Sequence, residues 1–329
     1  MREHPEAIGY AKIPVGISSC LLGNRVRYDG GHKAHAYITE TLGEYFEFRA
    51  FCPEIEIGLG VPRKPLRLSR IDSDEIRCLS VDDATQDFTD ELQRCADGQQ
   101  SWHDRLCGYI LKQDSPSCGM QGVEVCNDEM TSRDGIGIYA AKMMENYPCL
   151  PVAEEGALGD AVSRENFMQR VFALRRWYEM VESGLSVERL AEFHARHRLI
   201  IMSHDRNSSR TLGQLVAATS NDCLEQHSGD YLRQFMRVLK IQATRGNHQH
   251  VLQHIQGCLE SSLDDADKQE LAQSLERYSD GQLPLSVAIA LLNRLLGKHP
   301  NEHICNSWYL NPYPSELSPG RGTSLQNLI

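Results

Sequence analysis

The sequence predicts an α/β domain with a doubly wound, Rossmann-like parallel sheet, followed by an all-α C-terminal domain. Three observations lead there. The chain has 329 residues, more than the roughly 250 that one hydrophobic core ordinarily serves. Strand and helix patterns alternate through the first half, and after Asp160 the strand patterns stop.

In order along the first half, KIPVGISS (12–19) reads as a buried strand, AHAYITETLGEYF (34–46) as a helix and EFRAFCPE (47–54) as a second strand. TDELQRCADGQQSWHDRL (89–106) is helical, GYILK (108–112) is a short apolar strand, and GIGIYAAKMMEN (135–146) is a helix before the strand CLPVAEE (149–155). Strands separated by helices imply right-handed βαβ units. The second half opens with the helix SRENFMQRVFALRRWYEMVESG (163–184), closed by Gly184, and keeps the helical period as far as PLSVAIALLNRLLG (284–297). The expected division is an α/β domain over 1–160, a connecting helix over 161–190, a helical domain over 191–318 and a flexible tail over 319–329.

Eleven cysteines, an odd and scattered set, come without an export signal in MREHPEAIGYAKIPVGISS and without a run of about 18 apolar residues. Secreted disulfide scaffolds and membrane spans are thereby disfavoured, and a cytoplasmic location with reduced thiols is expected. The net charge of −11 argues against a general nucleic-acid binder, and no DNA partner is expected. Between Arg196 and His254, however, eight Lys and Arg stand against four Asp and Glu, leaving +4 there and −15 elsewhere. That asymmetry points to a local polyanion site.

Three cysteines fall at strand ends: Cys20 after VGISS, Cys52 closing EFRAFC and Cys118 in the loop after GYILK. In a parallel sheet, ligands collect outside the carboxyl ends of the strands. All three sit among turn residues, in SSCLLG, CPE and SPSCG, whose backbone N–H groups can face cluster sulfides or an anion. Cys78, Cys95, Cys107, Cys126, Cys149, Cys223, Cys258 and Cys305 lack that setting and read as structural. Two metal chemistries remain open for three thiolates. Structural zinc wants four closed ligands and catalytic zinc usually includes histidine or carboxylate, whereas a cubane on three cysteines leaves one iron open.

SSCLLGNRVRYDGGHK, CPEIEIGLGVPR and LKQDSPSCG resemble, in order, the three signature blocks of TudS-like thiouracil desulfurases, over roughly residues 13–160. The remainder, best in KIQATRGNHQHVLQHIQG, PLSVAIALLNRLLGKHP and YLNPYPSEL, resembles the helical YbgA-like domain. Together they resemble the RudS group of tRNA 4-thiouridine desulfidases. The resemblance implies a 4Fe-4S cluster on Cys20, Cys52 and Cys118 and non-redox removal of sulfur from 4-thiouridine in tRNA, with free thiouracil or thionucleosides as further substrates. One departure is Ile57, where many members carry the first Gly of a pair; Gly58, Pro62 and Arg63 are kept.

Replacing C=S by C=O needs a thiophilic group for the sulfur and a base for the water. Glu54, two residues past Cys52, is the expected general acid/base, the plainer reading being an Arg-paired turn carboxylate. Ser115 and Ser117 bracket Pro116 and either donate to the substrate or cap the turn. Asp29, in RYDGG, is a candidate partner for a ring N–H against an ordinary Asx turn; Tyr28 could stack on a pyrimidine, and Arg27, Lys33 and Arg63 could meet a phosphate.

A thiolated base within RNA must also be held by its backbone. Arg233, Arg237 and Lys240 recur at spacings of four and three on one helix face, with Arg245 beyond, and are the expected RNA contacts against the bland alternative of a solvated face. His250 and His254 are one turn apart without a third ligand, so no metal is expected there. Two other functions compete: a cluster-based redox sensor, which requires a fourth protein ligand, and an enzyme of free thiobases whose helical domain only joins subunits.

Overall fold

The structure, a computed structural model, describes residues 11–71, 75–127 and 130–318. Two compact units divide at Phe167, the second being Met168–Ser318. The tail expected over 319–329 lies outside the described residues.

The first unit contains strands β1 (Ile13–Ser18), β2 (Phe46–Phe51), β3 (Leu66–Arg70), β4 (Ile76–Ser80), β5 (Gly108–Leu111), β6 (Val123–Cys126), β7 (Thr131–Gly135) and β8 (Val152–Glu154). Its helices are α1 (Pro53–Glu56), α2 (Thr89–Gly98), α3 (Gln100–His103) and α4 (Ile138–Asn146). The principal sheet is wholly parallel, in the order β2-β1-β5-β8, with Ser18 opposite Phe51 and Ile17 opposite Ile110. Such a sheet is covered on both faces, and accordingly Val15, Ile17, Ile110 and Leu111 are fully buried.

Two features depart from the sequence pattern. A second sheet, β4-β3-β6-β7, is mixed, with antiparallel pairs at either end. Its strands have four or five residues and β7, TSRDG, is polar and mostly exposed, so no apolar period announces them. The segment AHAYITETLGEYF forms a π-helical turn over Tyr37–Thr41 and a 3-10 turn over Leu42–Glu44 in place of a regular α-helix. Three β-branched residues and Gly43 weaken helix propagation there.

Helix α5 (Ala161–Glu182) runs through the division between the units. The second unit continues with α6 (Val187–His204), α7 (Arg206–Ala217), α8 (Leu224–Leu239), α9 (Arg245–Leu259), α10 (Asp265–Ser279), α11 (Leu285–Lys298) and α12 (Glu302–Cys305). Ser186, Asp205, Thr244, Asp264 and Asn301 each accept a backbone N–H three residues on, so these helix starts are fixed locally by their caps. Packing supplies the rest: Trp177 stacks on Tyr231 with centroids 5.7 Å apart, and Phe193 meets Phe235 edge-on at 5.4 Å. Among the described residues no helix is long and apolar enough to cross a membrane.

Candidate functional site

Strand order assembles the site. Because β2, β1 and β5 are neighbours, the segments that leave their carboxyl ends bring Cys20, Cys52 and Cys118 to the wall of one cavity of about 570 Å³. Cys20 lies in a 3-10 turn over Ser19–Leu22, its carbonyl accepting the Lys33 N–H at 2.9 Å. Cys52 stands at the N-cap of α1, with Pro53 fixing the first helical position. The Cys118 loop rests on the start of α4, whose Ile138 and Ala140 N–H groups donate to Pro116 and Ser117 carbonyls at 3.1 Å. Gly137 permits this approach, since a Cβ there would fall 2.6 Å from the Ser117 backbone.

Burial dominates the electrostatics of the three thiols. Burial, then the neighbouring Cys52, pushes the Cys20 thiol up to about 11. Burial raises Cys52 as well, and burial followed by Cys52 and Glu54 raises Cys118. No other cysteine lines the cavity among the described residues. The donor set therefore suits a metal group that takes three sulfurs.

Glu54 lines the same cavity. Its Oε1 accepts the Ser117 hydroxyl at 2.6 Å, and its Oε2 accepts the Arg63 Nε–H at 2.7 Å. Ser117 is fully buried and outside the cavity lining; Ser115 lines it and accepts the Cys118 N–H at 3.1 Å. The Arg63 pair is that of an Arg-paired turn carboxylate, and it fixes the orientation of a residue that lines the cavity. Arg63 also lines the cavity, and its guanidinium donates to the Gly60 carbonyl at 2.9 Å.

Tyr28, Arg27 and Lys33 line the cavity, with the Arg27 guanidinium 5.5 Å from the Tyr28 ring centroid. Asp29 does not line it. Its carboxylate accepts the Gly31 N–H at 2.9 Å, the bond that chiefly holds its carboxyl below the usual range, and so makes an Asx turn.

Residues 15–155 match the family described as 2-thiouracil desulfurase, and residues 198–314 match one described as a protein of unknown function, DUF1722. The uncharacterized protein YbbK of Bacillus subtilis (strain 168) is 30% identical over 108 residues, 31% of this chain and 71% of that protein. The first unit belongs to the 2-thiouracil desulfurase family. The uncharacterized protein YbgA of Escherichia coli (strain K12) is 26% identical over 150 residues, 45% of this chain and 89% of YbgA. Among solved structures, the 4Fe-4S-dependent thiouracil desulfidase TudS is 29% identical, with a TM-score of 0.37 over 45% of this chain and 94% of TudS.

Within this desulfurase-family unit the departure at Ile57 is local. Its φ of −78° suits any residue, whereas Gly58, at φ +88°, occupies the left-handed position that needs glycine. Sequence reasoning missed Lys112, Gln113 and Asp114, which line the cavity. Lys112 is ion-paired to Glu155, and the Gln113 N–H donates to the same carboxylate at 2.8 Å. Their signal was available, because all three lie within LKQDSPSCG.

In the helical unit the expected RNA contacts divide. Arg233 and Arg237 are on α8 and Lys240 caps its end, but α8 stops at Leu239 and Arg245 opens α9. Arg233 pairs with Asp230 at 2.5 Å, and the Arg245 guanidinium lies 5.7 Å from the Tyr278 ring centroid. Exposed Arg237 has no ion pair among the described residues.

Proposed function

We propose that the chain is a 4Fe-4S-dependent desulfidase that converts 4-thiouridine in tRNA, and free thiouracil or thionucleosides, to the oxo form. The convergence of Cys20, Cys52 and Cys118 on a cavity whose wall also holds Glu54 carries this reading. The three cysteines would hold the cluster and leave one iron to substrate. The lack of a fourth cysteine in the described wall favours this over a closed redox sensor.

When bound, the cluster supplies a thiophilic Lewis acid for the thiocarbonyl sulfur. Glu54 takes a proton from the attacking water through its cavity-facing carboxylate, while Arg63 and Ser117 hold that carboxylate in place. Ser115 offers a hydroxyl to the substrate, and Asp29 shapes the turn that presents Tyr28 as a stacking face. Arg27 and Lys33 attract a phosphate beside the base. The exchange, C=S plus water giving C=O plus hydrogen sulfide, involves no net electron transfer.

The cation excess between Arg196 and His254 supports tRNA as substrate, with Arg233, Arg237, Lys240 and Arg245 as proposed backbone contacts. The test is anaerobic purification with iron and sulfide counting, followed by turnover of thiolated tRNA and of free 2-thiouracil. A chain that takes up no iron, or acts on neither substrate, overturns the reading; one that acts only on the free base removes the tRNA part.

A further inference from the structure

We infer that a cavity in the helical unit, walled by Arg198, Arg206 and Arg210, binds a phosphate ester. The cavity has a volume of about 610 Å³, within the range of small-molecule sites, and its lining also includes Met202, Asp205 and Asn247. It deepens the tRNA reading and rests on that reading only for the source of the phosphate.

Its arginines differ from the paired cations of this unit. Arg175, Arg233, Arg294 and Lys298 are all paired with carboxylates. The three cavity arginines have no ion pair or side-chain hydrogen bond among the described residues, although they share one concave surface. Like charges brought together without counter-charges repel, unless an anion joins them. The one acidic group in the lining is already engaged: Asp205 accepts the Ser208 N–H at 2.6 Å as the cap of α7. Three guanidiniums therefore face one committed carboxylate.

Secondary structure sets the arrangement. Arg206 and Arg210 stand one turn apart on α7, and Arg198 comes from α6, so two helices contribute exposed arginines to the same lining. Asn247 donates to the His204 carbonyl at 3.1 Å and ties the start of α9 to the end of α6 behind it. Guanidiniums match phosphate oxygens with paired N–H donors, and a phosphate ester offers three terminal oxygens to three such forks where a carboxylate offers two; an apolar ligand would leave the donors unused.

The test uses the full chain, purified anaerobically, and fluorescence anisotropy with a labelled, unmodified tRNA transcript. Uridine 5′-monophosphate and inorganic phosphate serve as direct ligands and as competitors. R206E/R210E and R198E are each expected to weaken tRNA binding at least tenfold, and R206K/R210K to retain most of it. Circular dichroism and turnover of free 2-thiouracil should stay unchanged in all three, which guards against misfolding. Binding of the nucleotide but not of tRNA, lost in the same variants, would support the phosphate pocket while removing tRNA as its source. Equal binding of tRNA by wild type and variants, with no nucleotide bound by either, would overturn the pocket and leave the tRNA reading to another surface.

Discussion

The Ser117 hydroxyl donates to Glu54 Oε1 at 2.6 Å, joining residues 63 positions apart. Each partner lies within two residues of a cavity cysteine, so the bond couples the Cys52 and Cys118 loops as well as aiming the carboxylate. Ser117→Ala is expected to lower kcat about tenfold with KM nearly constant, as the loss of one buried hydrogen bond to a charged group implies. Steady-state kinetics on free 2-thiouracil check this; an unchanged kcat would show that Arg63 alone suffices.

Glu54→Gln should keep iron content and substrate affinity while reducing turnover about a hundredfold or more, the scale of a positioned general base. Iron counting beside kinetics separates loss of the base from loss of the cluster. Wild-type turnover in this variant would reduce Glu54 to a partner of Arg63.

Cys20→Ala, Cys52→Ala or Cys118→Ala is expected to lower iron occupancy and abolish activity. Cys78→Ala, fully buried but outside the cavity, should keep its iron and lose only about 1 kcal/mol of stability. Iron loss in the Cys78 variant matching that of the others would disconnect cluster binding from the cavity.

Reversing Arg233, Arg237 and Lys240 together should weaken tRNA binding and flatten its salt dependence by about 0.7 log units per decade for each lost single-strand contact. Turnover of free thiobase should be untouched. A salt titration of wild type and variant gives both slopes.

Burial lowers His194 and His204 to about 4, so both are held neutral in the fold. Their unfolded values lie near 6.5, and the unfolded chain therefore binds more protons between pH 6.5 and 4. Stability is full above pH 6.5 and falls as pH drops through that window, by about 3 kcal/mol for each histidine at pH 4. Thermal melting followed by circular dichroism from pH 7 to 4 should show the loss, and a flat profile would refute it.

Much of this was legible in the sequence, for identifiable reasons. β1 and β5 are buried on both faces and so read as apolar runs, and the cysteines stand out by their Ser, Pro and Gly neighbours. The second sheet was silent because strands such as TSRDG draw their order from cross-strand bonds rather than from an apolar period. Glu54 could be singled out by its distance from Cys52, but its Ser117 bond is long-range and no spacing encodes it. Lys112 lies inside the legible block LKQDSPSCG, but the ion pair that holds it comes from Glu155, in a different segment. The cation excess was visible, whereas the choice of which arginines share a cavity depends on the packing of α6 against α7.

The strand order β2-β1-β5 gives the site a ruler. Neighbouring strands in any sheet repeat at about 4.8 Å, a distance set by backbone hydrogen bonds and not by side chains. The cysteine-bearing segments start from three successive marks on that ruler, so their spacing is inherited from the hydrogen-bonded sheet. Loops between the marks can lengthen or shorten while the gauge stays fixed. A change that slips the register of β1 against its two neighbours would shift Cys20 relative to both Cys52 and Cys118.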